Sequence, residues 1–319
     1  MPTTRRTFLQ SAAVARAAAS AASPAPDAPL DPVAIARRHP IVRTGPTPDF
    51  FEGMLLGNGD IGVCITVRPD ALGLHIGKND SWDIRVSEEH AADILPFSDV
   101  LKMWERAAAE ARRQGKPEMI YLEENIDFFR EYTQKVTSSY RKPWPRPWPC
   151  GIVWLHWDSR MVRVVRQEVD MASGVATIRL EHDNLRGAVK PFTLTCFVSR
   201  ENGIISVASD TADCPVVSVA YVPHRDAKAQ LPEPELSSED GRFSCYQPFP
   251  ATAPAAGQAA PPRSGKDRNF ALSGALAGAW KADAEAIEHH RVLLRSASPQ
   301  RIQLAVALFT PGDLSLIHI

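Results

Sequence analysis

The sequence predicts a mainly β protein, an antiparallel β-sandwich that carries a short helical insertion. Three observations lead there. From Gly151 onward, runs of β-branched and aromatic residues recur at intervals of roughly 8 to 12 residues, the spacing of strands in a sandwich. The breaks between them hold turn-forming residues, as at Ser173-Gly174, Asn184 with Gly187, and Asn202-Gly203. Strand also follows strand directly, without the alternating helices that a parallel sheet needs.

Taken in chain order, residues 1–30 read as an address and a linker. Thr4 to Leu9 spell "TRRTFL", which resembles a bacterial twin-arginine export signal, and an Ala-rich stretch with Ala-x-Ala sites and the Pro-rich "SPAPDAPLDP" follow it. The expected location is the periplasm or the outside of the cell. Nothing else in the chain approaches the roughly 18 apolar residues of a membrane span, so no membrane partner is expected.

The sandwich is expected over residues 31–313. Its first block contains "GNGDIG" at Gly57 to Gly62, which has the spacing G-x-G-x-x-G of a dinucleotide-binding turn. That motif works only where a strand enters the turn and a helix leaves it. Here Ile61, Val63, Ile65 and Val67 alternate with small or polar residues until Pro69, which is a strand. Asp80 and Asp83 stand about 20 positions downstream, where a ribose-binding acid belongs, but with no helix there is no phosphate site for either to assist. The glycines therefore read as a turn feeding a hairpin. Gly57 and Gly59 permit positive φ, Asn58 tolerates it, and Asp60 and Gly62 complete the turn. No cofactor is expected. A second strand, "LGLHIG", runs into "KNDSWD" at Lys78 to Asp83.

A helical insertion is expected over about residues 87–135. Val100, Leu101, Trp104, Ala108 and Ala111 recur at helical intervals, Ser98 stands as a cap, and Gly115 with Pro117 closes the helix. "LEENIDFFREYTQ" reads as a second helix. Strands resume with "IVWLHW", "MVRVVRQEVD", "VATIRLE", "FTLTCFVS", "GIISVAS", "VVSVAYV" and "IQLAVALF". Residues 223–269 are rich in Pro and Ala and read as a surface insertion of low order. The final "LSLIHI", residues 314–319, resembles the in-frame translation of a sequencing-library adaptor, so the natural product is expected to continue differently after Asp313.

Composition excludes several classes of function. A formal net charge of −1 with 23% charged residues gives no electrostatic case for nucleic acid or an anionic membrane. The five cysteines lack C-x-x-C spacing, so a structural zinc site is not expected, and at most two disulfides are possible. No H-E-x-x-H pattern marks a metal site, and no G-x-S-x-G elbow marks a serine nucleophile. Aromatic residues carry the remaining signal. "KPWPRPWPCG" holds Trp144 and Trp148 in a proline-locked extended segment, which suits either sugar stacking or a loop pinned to the sandwich. Alternation sets Asp80 and Trp82 on one face of "KNDSWD". Trp82 is expected to pack on the sandwich, and Asp80 to secure the turn or an interface to a further domain of the same gene product.

The combination of "LLGNGDIGVCITV", "LHIGKNDSWD" and a strand-rich remainder resembles the N-terminal β-sandwich of glycoside hydrolase family 95-like proteins, the α-L-fucosidase group. It is more similar still to the bacterial domain of unknown function 5703, in which a G-N-G-D-I-G turn precedes a K-x-D-x-W-D segment, here Lys78, Asp80, Trp82 and Asp83. The resemblance implies a supersandwich-like accessory domain whose partners are carbohydrate and a C-terminal (α/α)6 barrel of the same gene product. That barrel would hold the catalytic groups, so no catalytic residue is assigned to this chain. Asn79, Asp80, Trp82, Trp144 and Trp148 are the candidate sugar-binding residues. Two other readings remain open, a stand-alone carbohydrate-binding sandwich and an exported nucleotide-dependent sugar oxidoreductase; the latter predicts a parallel sheet.

Overall fold

Alternation of apolar and polar residues puts one face of each long strand into the interior. In a computed structural model, Ile61, Val63, Ile65 and Val67 are all buried, as the period of two requires. The structure describes residues 30–83, 95–115, 130, 132, 134, 146–183, 188–227, 231–249, 270–276, 282–298 and 300–309.

The strands in chain order are β1 (Ile41–Thr44), β2 (Met54–Gly57), β3 (Ile61–Arg68), β4 (Ala71–Lys78), β5 (Trp82–Asp83) and β6 (Arg146–Pro147). They continue with β7 (Ile152–His156), β8 (Val162–Asp170), β9 (Val175–Asp183), β10 (Val189–Val198), β11 (Ile205–Ser209) and β12 (Ser218–Val222). The last are β13 (Glu235–Glu239), β14 (Arg242–Gln247), β15 (Phe270–Leu276), β16 (Ala284–Glu288), β17 (Arg291–Arg295) and β18 (Gln303–Phe309). Helix α1 (Pro32–Arg37) is capped by the Asp31 carboxylate, and helix α2 (Phe97–Arg113) lies within the expected helical insertion. Pro96, not Ser98, occupies the N-cap of α2, and Gly115 closes it with a positive φ of 67°. The second helix expected at "LEENIDFFREYTQ" falls almost wholly outside the described residues.

Two large sheets form an antiparallel β-sandwich. The nine-stranded sheet runs β1-β8-β9-β10-β11-β18-β15-β14-β13, and the seven-stranded sheet runs β16-β17-β12-β7-β4-β3-β2. One continuous core joins them, with Ile65, Leu74 and Leu155 from the smaller sheet and Ile178, Leu194 and Val306 from the larger. Every strand pairing among the described residues is antiparallel. The five cysteines are free. Burial pushes the Cys196 thiol up to about 12 and those of Cys150, Cys214 and Cys245 to about 11, so these four behave as apolar filling.

One expectation is corrected. The segment 223–269 is not a uniform surface insertion, because β13 and β14 form a hairpin within it that extends the larger sheet, and Phe243 and Cys245 are buried there. The hairpin turns at Asp240 and Gly241, both with positive φ, of 50° and 72°. That is the Asp-Gly type I′ geometry that matches strand twist. The Pro/Ala-rich part after Phe249 lies outside the described residues.

Candidate functional site

The "GNGDIG" segment is the turn of the β2–β3 hairpin, with Gly57 opposite Gly62. A strand leaves it where a dinucleotide site needs a helix, and this local geometry together with the antiparallel sheets removes the structural basis for the oxidoreductase reading. Gly59 has φ of +95°, as its place in the turn requires. Gly57 does not have a positive φ, contrary to expectation. It is needed for close approach, since a Cβ there would stand 2.8 Å from the Ile61 carbonyl oxygen. Asn58 Oδ1 accepts from the amides of Asp60 (3.0 Å) and Ile61 (2.8 Å), while its Nδ2 donates to the Ser199 carbonyl at 3.1 Å. The turn is thereby tied to the end of β10, in the other sheet.

Lys78 anchors the same corner from β4. Its side chain is only 2% exposed, and Nζ donates to both oxygens of Asp60 at 2.9 and 2.8 Å and to Asp80 at 2.9 Å. A buried ammonium is tolerated only with such partners. Asp80 therefore helps hold the turn, the first of the two roles expected of it. The Asn79 amide donates to the Asp60 carbonyl at 2.8 Å, and the Asn79 carbonyl accepts the indole N–H of Trp82 at 2.8 Å. Asn79, Asp80 and Trp82 thus form an exposed polar and aromatic edge on a fixed backbone. The Trp82 ring is 36% exposed, so it packs on the sandwich less completely than alternation predicted.

The proline-rich segment locks onto this edge. β5 pairs with β6, the Trp148 amide donates to the Ser81 carbonyl at 2.8 Å, and the Ser81 hydroxyl donates to the Trp148 carbonyl at 3.1 Å. Asp83, in register with Arg146, is fully buried. Trp144 lies outside the described residues. Trp148 is brought to the site but not as an exposed platform. It is 3% exposed and enclosed by His224, Phe249 and the Arg146 guanidinium, whose carbon lies 5.2 Å from the ring centroid. Of the two readings of this tryptophan, packing is the one realised.

Trp148 also lines a cavity of about 500 Å³, together with His224, Asp226, Leu231, Glu233 and Gln247, among others. Arg146 donates to Asp226 at 2.7 Å, and Arg225 pairs with Glu233. Gln247, 1% exposed, donates to the carbonyls of Pro232 and Pro248, both at 3.1 Å. Burial lowers the His224 pKa, against the opposing charge of Asp226, and keeps its imidazole neutral near pH 7. Of these residues, sequence reasoning named Trp148 as a ligand contact and missed His224, Asp226 and Gln247. His224 and Asp226 follow β12 while Gln247 ends β14, and no spacing in the sequence relates the two strand ends. No protein-family model matches the chain, and no curated protein matches it.

Proposed function

We propose that this chain is the non-catalytic β-sandwich portion of an exported glycoside-hydrolase-like protein, and that the edge formed by Asn79, Asp80 and Trp82 contacts a plant or microbial glycan. In this reading the sandwich accompanies a helical barrel that carries the catalytic carboxylates. The observation that carries it is the half-open indole of Trp82 beside two exposed polar side chains, held on a backbone fixed by buried Lys78 and by the β5–β6 pairing. An aromatic face suits the CH surface of a sugar ring, and the neighbouring amide and carboxylate suit its hydroxyls. A preformed edge also loses little entropy when a glycan docks.

The test measures binding of the purified chain to soluble plant and microbial polysaccharides, alongside turnover of aryl glycosides that include the α-L-fucoside. Binding that weakens at least tenfold in Trp82→Ala, in a variant that stays folded with only a small loss of stability, supports the reading. Equal affinity in the variant removes the edge from the interaction. Hydrolysis that disappears on replacing a carboxylate of this chain overturns its non-catalytic role.

A further inference from the structure

We propose that Asn202 is a site of spontaneous chemical modification, at which the side-chain amide is lost as ammonia and aspartate and isoaspartate are left in the turn between β10 and β11. The reaction needs only water, and it does not rest on the carbohydrate reading of the Trp82 edge.

The sequence holds two Asn-Gly steps, Asn58-Gly59 and Asn202-Gly203. In such a step the backbone nitrogen of the glycine attacks Cγ of the asparagine. A bond forms between that nitrogen and Cγ, the Cγ–Nδ2 bond breaks, and the displaced nitrogen leaves as ammonia, carrying the proton of the glycine amide. The product is a cyclic imide. Water then opens the ring at either carbonyl, giving aspartate when the bond to Cγ is cleaved and isoaspartate when the bond to the main-chain carbonyl carbon is cleaved. Glycine favours the first step because it has no Cβ to screen its nitrogen and its backbone turns freely. By residue type both steps are competent, so the structure decides between them.

At Asn58 the side chain is engaged at both ends. Oδ1 accepts from the amides of Asp60 at 3.0 Å and Ile61 at 2.8 Å, and Nδ2 donates to the Ser199 carbonyl at 3.1 Å. Ring closure pulls Cγ onto the Gly59 nitrogen, and these three bonds resist that movement. Asn202 is held far less. Its residue is exposed, and the bond that its side chain makes is a long one, Oδ1 accepting from the Ile204 amide at 3.4 Å. The turn is closed beneath it by the Ser199 amide, which donates to the Ile204 carbonyl at 2.8 Å. Exposed turn tips built of small polar residues open locally at little cost. The two steps share a sequence and differ in restraint.

The modified turn also bears on the glycine hairpin. The Ser199 carbonyl that receives Asn58 Nδ2 belongs to the residue that opens this turn, and a Cβ at Gly203 would stand 3.2 Å from Ile61 Cδ1. Isoaspartate carries the main chain through Cβ and Cγ, so it adds one carbon to a turn whose closure positions that carbonyl. Ageing at Asn202 therefore loosens the tie between the two sheets at this corner.

The experiment incubates the full chain in mildly alkaline buffer made with oxygen-18 water, with a second sample held in denaturant, and follows both steps by peptide mapping and mass spectrometry. In the folded chain the Asn202 peptide is expected to convert to aspartate and isoaspartate, each carrying one heavy oxygen, at least tenfold faster than the Asn58 peptide. In denaturant the two peptides are expected to react at comparable rates. Asn202→Ser, a change at an exposed side chain, is expected to remove the isoaspartate formed by the folded chain. Equal rates at the two steps in the folded chain, faster reaction at Asn58, or an Asn202 that reacts in denaturant but stays intact when folded would each overturn the proposal. A tenfold difference that persists in denaturant would overturn the assignment of protection to the bonds of Asn58.

Discussion

Two corners of this molecule lie on either side of the β5–β6 pairing and differ in one respect. At the glycine turn, the buried ammonium of Lys78 donates to three carboxylate oxygens, and the Asn58 side chain bonds to two amides and a carbonyl. At the Trp148 corner, two buried donors have no acceptor among the described residues. Both corners carry the residue types associated with function. A satisfied network holds the backbone with its polar groups, whereas each unmet buried donor costs the fold part of its stability. The corner with the better-known sequence motif is therefore the more tightly held of the two.

The largest expected effect that sharpens this contrast is the loss of Trp148 itself. Trp148→Ala should destabilise the fold by about 3–5 kcal/mol, measured by chemical denaturation, because a ring that is 3% exposed leaves a void among His224, Phe249 and Arg146. A loss below about 1 kcal/mol would show that the corner already tolerates emptiness.

Lys78→Met comes next, at about 1–3 kcal/mol, short of the value for a pair buried on both sides. Asp60 and Asp80 are 49% and 47% exposed, so they regain water when the cation is lost. Faster hydrogen exchange at the Asn79 amide, which is bonded to the Asp60 carbonyl, should accompany it. Unchanged exchange there would mean that the turn holds without its cation.

Trp82→Ala should cost only about 1 kcal/mol in stability, since a ring more than a third exposed forgoes part of its burial energy. A loss matching that of Trp148 would make both tryptophans packing residues and erase the contrast.

The smallest effect is with pH. His75, His156 and His224 all have pKa values lowered from 6.5, in each case chiefly by burial. The unfolded chain then binds protons at a higher pH than the native one. Stability should be full above pH 6.5 and decline as the pH falls from there through the lowered native values. Thermal melts across that range test it, and a histidine-to-phenylalanine change at His224 should remove part of the slope. A flat profile would mean that these rings are hydrated in the native state.

Much of the fold was legible in the sequence because strand alternation is a local signal. Ile61 to Val67 and the runs from Ile152 to Val222 state their own buried face. The β13–β14 hairpin was equally legible at Asp240-Gly241, but the surrounding prolines and alanines obscured it. The β16–β17 hairpin was not. It turns at His289 and His290, both at positive φ, of 49° and 59°, a conformation that histidine adopts without announcing it.

By itself, the sequence determined a mainly β protein with a glycine hairpin, a helix near residue 100 and a tryptophan-bearing segment locked by prolines. Periodicity and backbone restriction act over a few residues, so a linear reading captures them. Only the tertiary structure decided which tryptophan is covered, that Lys78 is buried between two aspartates, and that His224, Asp226 and Gln247 share a cavity with Trp148. Those outcomes depend on which strand ends the two sheets bring together, and on which polar groups then lose water without gaining a partner.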